Sequence, residues 1–155
     1  MPKPTLLIIE DDPALNQMLS LHFEDQGFGV FSAEQCAAGL QIAGSERVDV
    51  ILLDQQLPDG EGIALLPRLI EVQPAAGIIM MTGQHDLELA IQAIKSGATD
   101  FIHKPIKIDE LQIVVERVLA NAALVRLLVH RCRRLLRRAG VQQVPAPASA
   151  GECVS

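Results

Sequence analysis

Five short segments of the chain carry side chains that could act together as one chemical site. They are Glu10-Asp11-Asp12, Asp54, Thr82, Phe101 and Lys104-Pro105. Most of them come directly after a short apolar run of the kind that forms a buried strand. The carboxyl ends of strands in an open parallel sheet share one edge, and ligands bind at that edge. Carboxylates gathered there beside a lysine would suit a divalent cation and a phosphoryl group.

Strand and helix patterns alternate along the chain and would place these side chains at one edge. Strands are expected at 5–9, 28–32, 49–53, 77–81 and 99–102, and helices at 13–26, 33–43, 62–72, 86–96 and from 108 onward. Pro13 suits a first helical position, Ser32 is expected to cap the second helix, and Gly44 is expected just beyond its end. Pro58-Asp59-Gly60 predicts a turn. The alternation predicts an α/β fold with a doubly wound parallel sheet.

The last helix is expected to continue beyond the domain. Apolar residues recur along it at alternating spacings of four and three, at Leu111, Val115, Val118, Ala122, Val125, Val129, Cys132 and Leu136. We call this set the heptad seam, because the spacing is typical of a coiled coil. It predicts one globular domain over residues 1–120, a basic heptad helix over 121–139 that links or dimerises, and a disordered tail over 140–155.

Composition limits the classes of protein to which the chain can belong. Its 155 residues favour one domain, and an apolar share of 49% is sufficient for a core. The apolar runs are far shorter than the roughly 20 residues that span a bilayer, and the first four residues, Met1-Pro2-Lys3-Pro4, lead us to expect no secretory signal. Cys36, Cys132 and Cys153 are odd in number and form no CxxC pair, so neither disulfides nor a zinc site is indicated. We expect a cytoplasmic protein without a membrane partner.

Charge divides the chain into two parts of opposite sign. Residues 1–120 hold 7 basic and 18 acidic residues, whereas residues 121–155 hold 6 arginines and 1 glutamate. Opposite signs indicate different roles for the two parts. The arginines would suit nucleic acid, but 35 residues leave no room for a helix-turn-helix, and no aromatic residue follows Phe101. Direct DNA binding is therefore not expected, and a basic face on a dimerising helix is favoured.

The segments IIEDD, LLDQQLPDGEG, MMTG and DFIHKP occur in an order and at separations that resemble a known family. They resemble the receiver domain of bacterial two-component response regulators over roughly residues 5–120, and look most like the receivers of AAA+ transcription activators. The resemblance implies a flavodoxin-like (βα)5 fold with strand order 2-1-3-4-5 and, here, an extended C-terminal helix. It implies a phosphoacceptor that assists its own phosphorylation and dephosphorylation, rather than an enzyme with a separate substrate.

The resemblance assigns the acceptor and its metal ligands. Asp54 would accept the phosphoryl group from a sensor histidine kinase, since a carboxylate can act as a nucleophile and form an aspartyl phosphate. A Mg²⁺ or Mn²⁺ ion would offset the repulsion between two anions. Asp11 and Asp54 would bind it directly, Glu10 through water, and Gln56 through its backbone carbonyl.

The resemblance also assigns a lysine and two switch residues. Lys104 would pair with the phosphoryl oxygens, and the peptide bond before Pro105 would be cis. Thr82 would bond to the phosphoryl group, and Phe101 would follow it between exposed and buried positions. These two would reset the surface of the fourth helix, fifth strand and fifth helix, and so control homodimerisation and an output in transcription. Asp12 lies one place past the essential acids and is expected to be solvated or to cap a helix.

Three other functions are less consistent with these residues. A flavodoxin would need a loop of small and hydroxyl residues after the first strand to bind phosphate, where this chain has Glu10-Asp11-Asp12. A phosphatase of the haloacid dehalogenase type would need an acid two residues after its nucleophile, where this chain has Gln56. A degenerate receiver could act as a structural or interaction module through its Arg-rich C-terminal helix. Retained phosphorylation of Asp54 separates this last possibility from the receiver function.

Overall fold

Strands and helices alternate along the chain in the predicted order. The computed structural model describes residues 3–83 and 87–140. The strands are β1 Thr5–Ile9, β2 Gly29–Ala33, β3 Val50–Asp54, β4 Gln56–Leu57, β5 Gly60–Glu61, β6 Gly77–Thr82 and β7 Asp100–His103. The helices are α1 Pro13–Asp25, α2 Cys36–Ser45, α3 Gly62–Val72, α4 Leu87–Lys95 and α5 Ile108–Arg138. The boundaries of the predicted elements therefore agree with the structure to within one residue, except those of α2, which differ by two to three.

Five parallel strands form the main sheet in the order β2-β1-β3-β6-β7. Counted without the short antiparallel hairpin β4–β5, this is the predicted order 2-1-3-4-5. The order reverses between β1 and β3, so the loops after these two strands form a crevice at the carboxyl edge of the sheet. The fold prediction is confirmed, and the hairpin lies at the predicted turn around Pro58 and Asp59.

Helices cover both faces of the sheet, and each face has its own apolar core. Alternate strand residues point to opposite faces, so Leu6 and Ile8 enter one core while Leu7 and Ile9 enter the other. The first core is closed by α1 and α5, and the second by α2, α3 and α4. The strands are therefore buried on both faces, which is why they appear in the sequence as continuous apolar runs.

The start and end of α2 were predicted wrongly. Ser32 lies within β2, which pairs with β1 as far as Ala33, and α2 begins only at Cys36. The helix is capped from a distance: the Asp59 carboxylate accepts from the backbone N–H groups of Cys36 at 2.7 Å and Ala37 at 3.0 Å. These two N–H groups lower the pKa of Asp59. Local sequence signals cannot reveal a cap supplied by a residue 23 positions away.

Gly44 does not follow α2 but lies inside it, since the helix continues to Ser45. A Cβ atom at this position would meet no atom within 4 Å. Glycine is common just past a helix end but is also tolerated within an exposed helical turn, at a small cost in stability. The residue type alone therefore did not fix the boundary.

The predicted heptad seam divides into two parts. Leu111, Val115, Val118 and Ala122 are buried in the domain's own core, so this half of the seam faces the sheet rather than a partner helix. The physical reason is that an apolar stripe facing a sheet has nearly the same period as one facing a partner helix.

We call residues 123–138 the α5 extension. Its exposed apolar side chains are Leu124, Val125, Leu127, Leu128 and Leu135.

The two remaining predictions about the C-terminal part have different outcomes. The helix itself is present as far as Arg138, as the heptad spacing predicted. The predicted disordered tail falls almost wholly on residues 141–155, which lie outside the described residues. Within the described parts of the chain, no helix combines the length and the apolar character that crossing a membrane requires.

Candidate functional site

The carboxyl ends of β1, β3, β6 and β7 bring the predicted side chains to one edge. Ile9 pairs with Leu53, so Glu10 and Asp54 leave neighbouring strands at the same level. Thr82 pairs with His103, and the Lys104 backbone N–H donates to the Thr82 carbonyl at 2.7 Å. Residues far apart in sequence thus become neighbours because parallel strands in register end together.

Three acids form a cluster at this edge. One carboxylate oxygen from each of Glu10, Asp11 and Asp54 lies within 4.8 Å of the others. Glu10 is 0% exposed and Asp54 is 4% exposed, whereas Asp11 is open to solvent. Among the described atoms, Glu10 Oε2 is buried without a hydrogen-bond partner. An oxygen-only donor set with one unsatisfied buried oxygen fits a hard divalent cation such as Mg²⁺.

Lys104 joins two of these acids. Its Nζ donates to Glu10 Oε1 at 2.6 Å and lies 3.2 Å from Asp54 Oδ1. Burial disfavours the charged form, but the hydrogen bond to Glu10 and the negative charges of Asp54 and Glu10 outweigh it and raise the pKa of Lys104. The side chain therefore holds a positive charge beside the acceptor carboxylate, where an incoming phosphoryl group would lie.

Glu10 responds to the same surroundings in a different way. Burial and the neighbouring Asp54 carboxyl group raise the pKa of Glu10 from 4.5 to about 8, while Lys104 opposes the shift. A carboxylate without enough positive charge around it thus retains its proton. A bound cation would supply the missing charge, so the pKa shift agrees with the acid cluster as a metal site.

We expect Glu10→Gln to raise the free energy of unfolding in EDTA near pH 8 by about 1–2 kcal/mol. Because the pKa of Glu10 is raised on folding, the folded protein retains a proton that the unfolded chain loses. The stability gained from this proton is complete below pH 4.5 and is lost as the pH rises through about 8. The advantage of the glutamine should therefore shrink as the pH falls. Urea unfolding across this interval measures it.

The control is Glu34→Gln, which changes an exposed acid and should show no such dependence. Excess Mg²⁺ should cancel the advantage of Glu10→Gln, since the wild-type carboxylate would then be compensated. If Glu10→Gln stabilised the protein equally at pH 4.5 and near pH 8, the raised pKa of Glu10 would be contradicted.

Asn16 was missed as a site residue by sequence reasoning. Its Nδ2 donates to the Glu10 carbonyl at 2.9 Å and to the Ala33 carbonyl at 3.2 Å, and the side chain is buried. It thereby joins the loop after β1 to the end of β2 and fixes the backbone that carries Glu10. The only sign of this role in the sequence was an amide side chain in the first turn of an amphipathic helix. Such a residue is common in helices that have no functional site.

Gln55 and Gly62 support the acceptor from the other side and were also missed. The Gln55 Oε1 accepts from the Ile63 N–H at 3.0 Å, and the Gly62 N–H donates to the Gln55 carbonyl at 2.8 Å. A Cβ atom on Gly62 would lie 2.3 Å from the Asp54 carbonyl oxygen. Only glycine allows α3 to begin this close to the end of β3.

Asp12 does not join the acid cluster and caps α1, as predicted. Its Oδ1 accepts from the Ala14 N–H at 3.0 Å and from the Leu15 N–H at 3.4 Å, with Pro13 in the first turn. The carboxylate thus satisfies backbone N–H groups that the helix leaves free and faces its positive end. One of the three consecutive acids is therefore structural.

The remaining predicted residues lie on β6 and β7 and in the segments that follow β3 and β7. Thr82 is 1% exposed at the end of β6. Phe101 is half-buried, and its ring lies edge-on to that of His103 with centroids 5.1 Å apart. The Gln56 N–H lies 3.4 Å from Asp54 Oδ1, so its backbone adjoins the acceptor. The peptide bond between Lys104 and Pro105 is cis, as expected.

The family profile for the response regulator receiver domain matches residues 6–116. The chain belongs to the response regulator receiver family. The predicted family is thus confirmed by a match over most of the chain, and the matched range contains the whole acid cluster and Lys104.

Known relatives of this receiver include regulators of transcription. Transcriptional regulatory protein GlrR of Escherichia coli (strain K12) is 30% identical over 118 residues, which are 76% of this chain and 27% of GlrR. This chain therefore spans only about a quarter of that relative's length.

Solved receivers have the same architecture. A receiver domain protein (CheY-like) from Methanospirillum hungatei JF-1 matches with a TM-score of 0.76 and 29% identity, over 79% of this chain and 98% of that one. A response regulator from Burkholderia pseudomallei, crystallised with a phosphorylated aspartic acid, calcium ion and citrate, matches with a TM-score of 0.70 and 25% identity. That match covers 90% of this chain and 88% of the other.

Proposed function

We propose that this receiver accepts a phosphoryl group on Asp54 from a sensor histidine kinase, in a reaction that requires Mg²⁺ or Mn²⁺. The observation that carries the proposal is the meeting of Asp54 with Lys104 and with a second buried acid, Glu10, at one edge of the sheet. The Burkholderia pseudomallei relative, which holds a phosphorylated aspartic acid and a calcium ion, supports it.

The chemistry follows from the nature of the three groups. An oxygen of the Asp54 carboxylate forms a bond to phosphorus while the bond from phosphorus to the kinase histidine nitrogen breaks, and the nitrogen keeps the electron pair. Lys104 donates to the phosphoryl oxygens, having its ammonium 3.2 Å from the acceptor oxygen. Asp11, Asp54, Glu10 and the Gln56 carbonyl would hold the cation. When bound, the cation neutralises charge on the transferred group.

Thr82 and Phe101 would carry the change to the protein surface. Thr82 ends β6 and Phe101 lies in β7, the edge strand of the sheet. A Thr82 hydroxyl drawn toward the phosphoryl group would vacate space that the half-buried Phe101 ring then enters. The surface thereby altered is the face of α4, β7 and α5. The exposed apolar side chains of α4 and of the first turns of α5 include Leu87, Ile91, Ile94 and Ile113.

We further infer that phosphorylation controls homodimerisation through this face and the α5 extension, with an output in transcription. The exposed leucines of the extension and the resemblance to receivers of AAA+ activators support this inference. The protein would act in the cytoplasm, without a membrane partner and without binding DNA itself. Sedimentation of the chain, beside a version that ends at Ala120, with and without beryllofluoride tests it. Equal masses in all four samples would overturn it.

Incubation with acetyl phosphate and Mg²⁺ tests the central proposal. We expect the intact mass to rise by one phosphoryl group, and the gain to disappear when EDTA replaces Mg²⁺. Asp54→Asn is the matched control, since it preserves the shape of the acceptor but removes its negative charge. A folded wild-type protein that gains no mass from acetyl phosphate, or from a panel of phosphorylated histidine kinases, would overturn the proposal.

A further inference from the structure

An ion pair joins the α5 extension to the amino edge of the sheet, opposite the functional site. Arg126 Nη1 donates to Asp49 Oδ1, and Arg126 Nη2 donates to the Val48 carbonyl at 3.0 Å. Asp49 directly precedes β3, and Arg126 lies one turn past Ala122, the last buried residue of α5. The guanidinium thus contacts both a side chain and the backbone of the segment that leads into the central strand.

The Asp49 side chain is fixed in position by hydrogen bonds from Thr5 in β1. This side chain is 12% exposed, and Oδ2 accepts from the Thr5 N–H at 2.8 Å and from the Thr5 hydroxyl at 3.1 Å. Burial opposes ionisation, but the Thr5 N–H and the Arg126 guanidinium outweigh it and lower the pKa of Asp49. The Asp49 carboxylate is therefore ionised and fixed in position where Arg126 binds it. This makes the ion pair stronger than a typical pair between two exposed side chains.

The rest of the extension has little else to hold it. Among the residues that the structure describes, and apart from the backbone bonds of α5 itself, Arg126 is the one residue of 123–138 whose side chain forms a hydrogen bond or ion pair with the rest of the domain. Beside it, a cleft of about 300 Å³ separates Pro74 and Ala75 from Val125 and Val129. Beyond Ala122, the apolar side chains of the helix are largely exposed.

The extension is also a weak helix by itself. It has 16 residues, six of them arginine and none acidic. Isolated helices of this length are marginal in water, and like charges three or four positions apart destabilise them. Arg133 and Arg137 form one such pair, and Arg134 and Arg138 form another. A helix that continues from a folded domain needs a fixed first turn to maintain its direction.

We propose that the Asp49–Arg126 pair is a latch that fixes the direction in which the α5 extension leaves the receiver. Arg126 is then a positioning residue, and its role does not depend on phosphorylation of Asp54. The position of this pair also links the extension to the acceptor through β3, since Asp49 directly precedes the strand and Asp54 is its last residue. A partner that binds the extension would therefore find the helix in a fixed orientation relative to β3, the central strand.

Hydrogen exchange of the full chain, followed by mass spectrometry, tests the latch. In Arg126→Met, amide exchange over 123–138 should accelerate about ten- to a hundredfold, the effect of losing charge-assisted hydrogen bonds. Exchange in β1 and β3 should not change. The matched control is Arg133→Met, one heptad further along and exposed, which should leave exchange over 123–138 as in wild type.

A second variant keeps the test decisive if the first perturbs the whole domain. Asp49→Asn can still accept from the Thr5 N–H but has no charge for Arg126. If the latch exists, Asp49→Asn accelerates exchange over 123–138, and the double variant with Arg126→Met adds almost nothing to either single change. Additive effects, wild-type exchange in Arg126→Met, or equal acceleration in β1, β3 and the extension would each overturn the proposal.

Discussion

Lys104→Met is expected to slow the phosphorylation of Asp54 by acetyl phosphate about 10²- to 10³-fold, the effect typical of removing one preorganised electrostatic contact. The ammonium lies 3.2 Å from Asp54 Oδ1 and is fixed by its bond to Glu10. Methionine has a similar length but no charge, so the developing charge on the phosphoryl oxygens would lose its partner. Time courses of intact mass in Mg²⁺ give the rate directly.

Lys107→Met is the matched control for this change. It removes the same charge from an exposed lysine three positions further on, so any effect of net charge on the approach of the anion appears in both variants. Urea unfolding of both variants verifies that they are folded. A Lys104→Met protein that is phosphorylated as fast as the Lys107→Met protein would remove Lys104 from the proposed chemistry.

Gly62→Ala is expected to lower the free energy of unfolding by at least about 1–3 kcal/mol and to slow phosphorylation as well. The new Cβ would lie 2.3 Å from the Asp54 carbonyl oxygen and 3.2 Å from the Gln55 Cα, and both are backbone atoms. Backbone cannot rotate away as a flexible side chain can, so β3 and α3 must separate where the acceptor lies. Urea unfolding and the mass assay measure the two effects.

Gly44→Ala provides the opposite case within the same chain. Gly44 lies inside α2, and no atom is within 4 Å of its added Cβ, so alanine should stabilise the protein by about 0.5–1 kcal/mol. The same chemical change at two helical glycines thus has opposite predicted signs. An unfolding midpoint for Gly62→Ala at or above that of wild type would contradict the close approach of α3 to Asp54.

The sequence determined the order of strands and helices and the convergence of the acids, Thr82 and Lys104. It could do so because a parallel sheet buried on both faces requires continuous apolar strands, and each of these residues lies at or just past the carboxyl end of such a strand. Asp12 was also assigned correctly as a possible cap, since its contacts lie within three positions. In each case the signal is local or depends on a rule that applies to all parallel sheets.

Contacts between distant residues were decided by the tertiary structure. The bond from Lys104 to Glu10 spans 94 positions, and the cap that Asp59 supplies to α2 spans 23. Neither partner carries a sign of the other in its own neighbourhood. The same holds for Asn16, which binds two carbonyls at the ends of different strands, and for Gly62, whose need for glycine arises from the nearby backbone of Asp54.

The last helix shows most clearly which features the sequence alone determines and which depend on the tertiary structure. The sequence predicted its length and its periodic apolar stripe, but a stripe with this spacing can face a sheet or a partner helix equally well. The fold placed the seam residues Leu111, Val115, Val118 and Ala122 in the domain's own core and left most later apolar positions exposed. It also paired Arg126, one of six similar arginines, with Asp49. Periodicity is a property of the chain, whereas the surface that the stripe faces exists only once the sheet has formed.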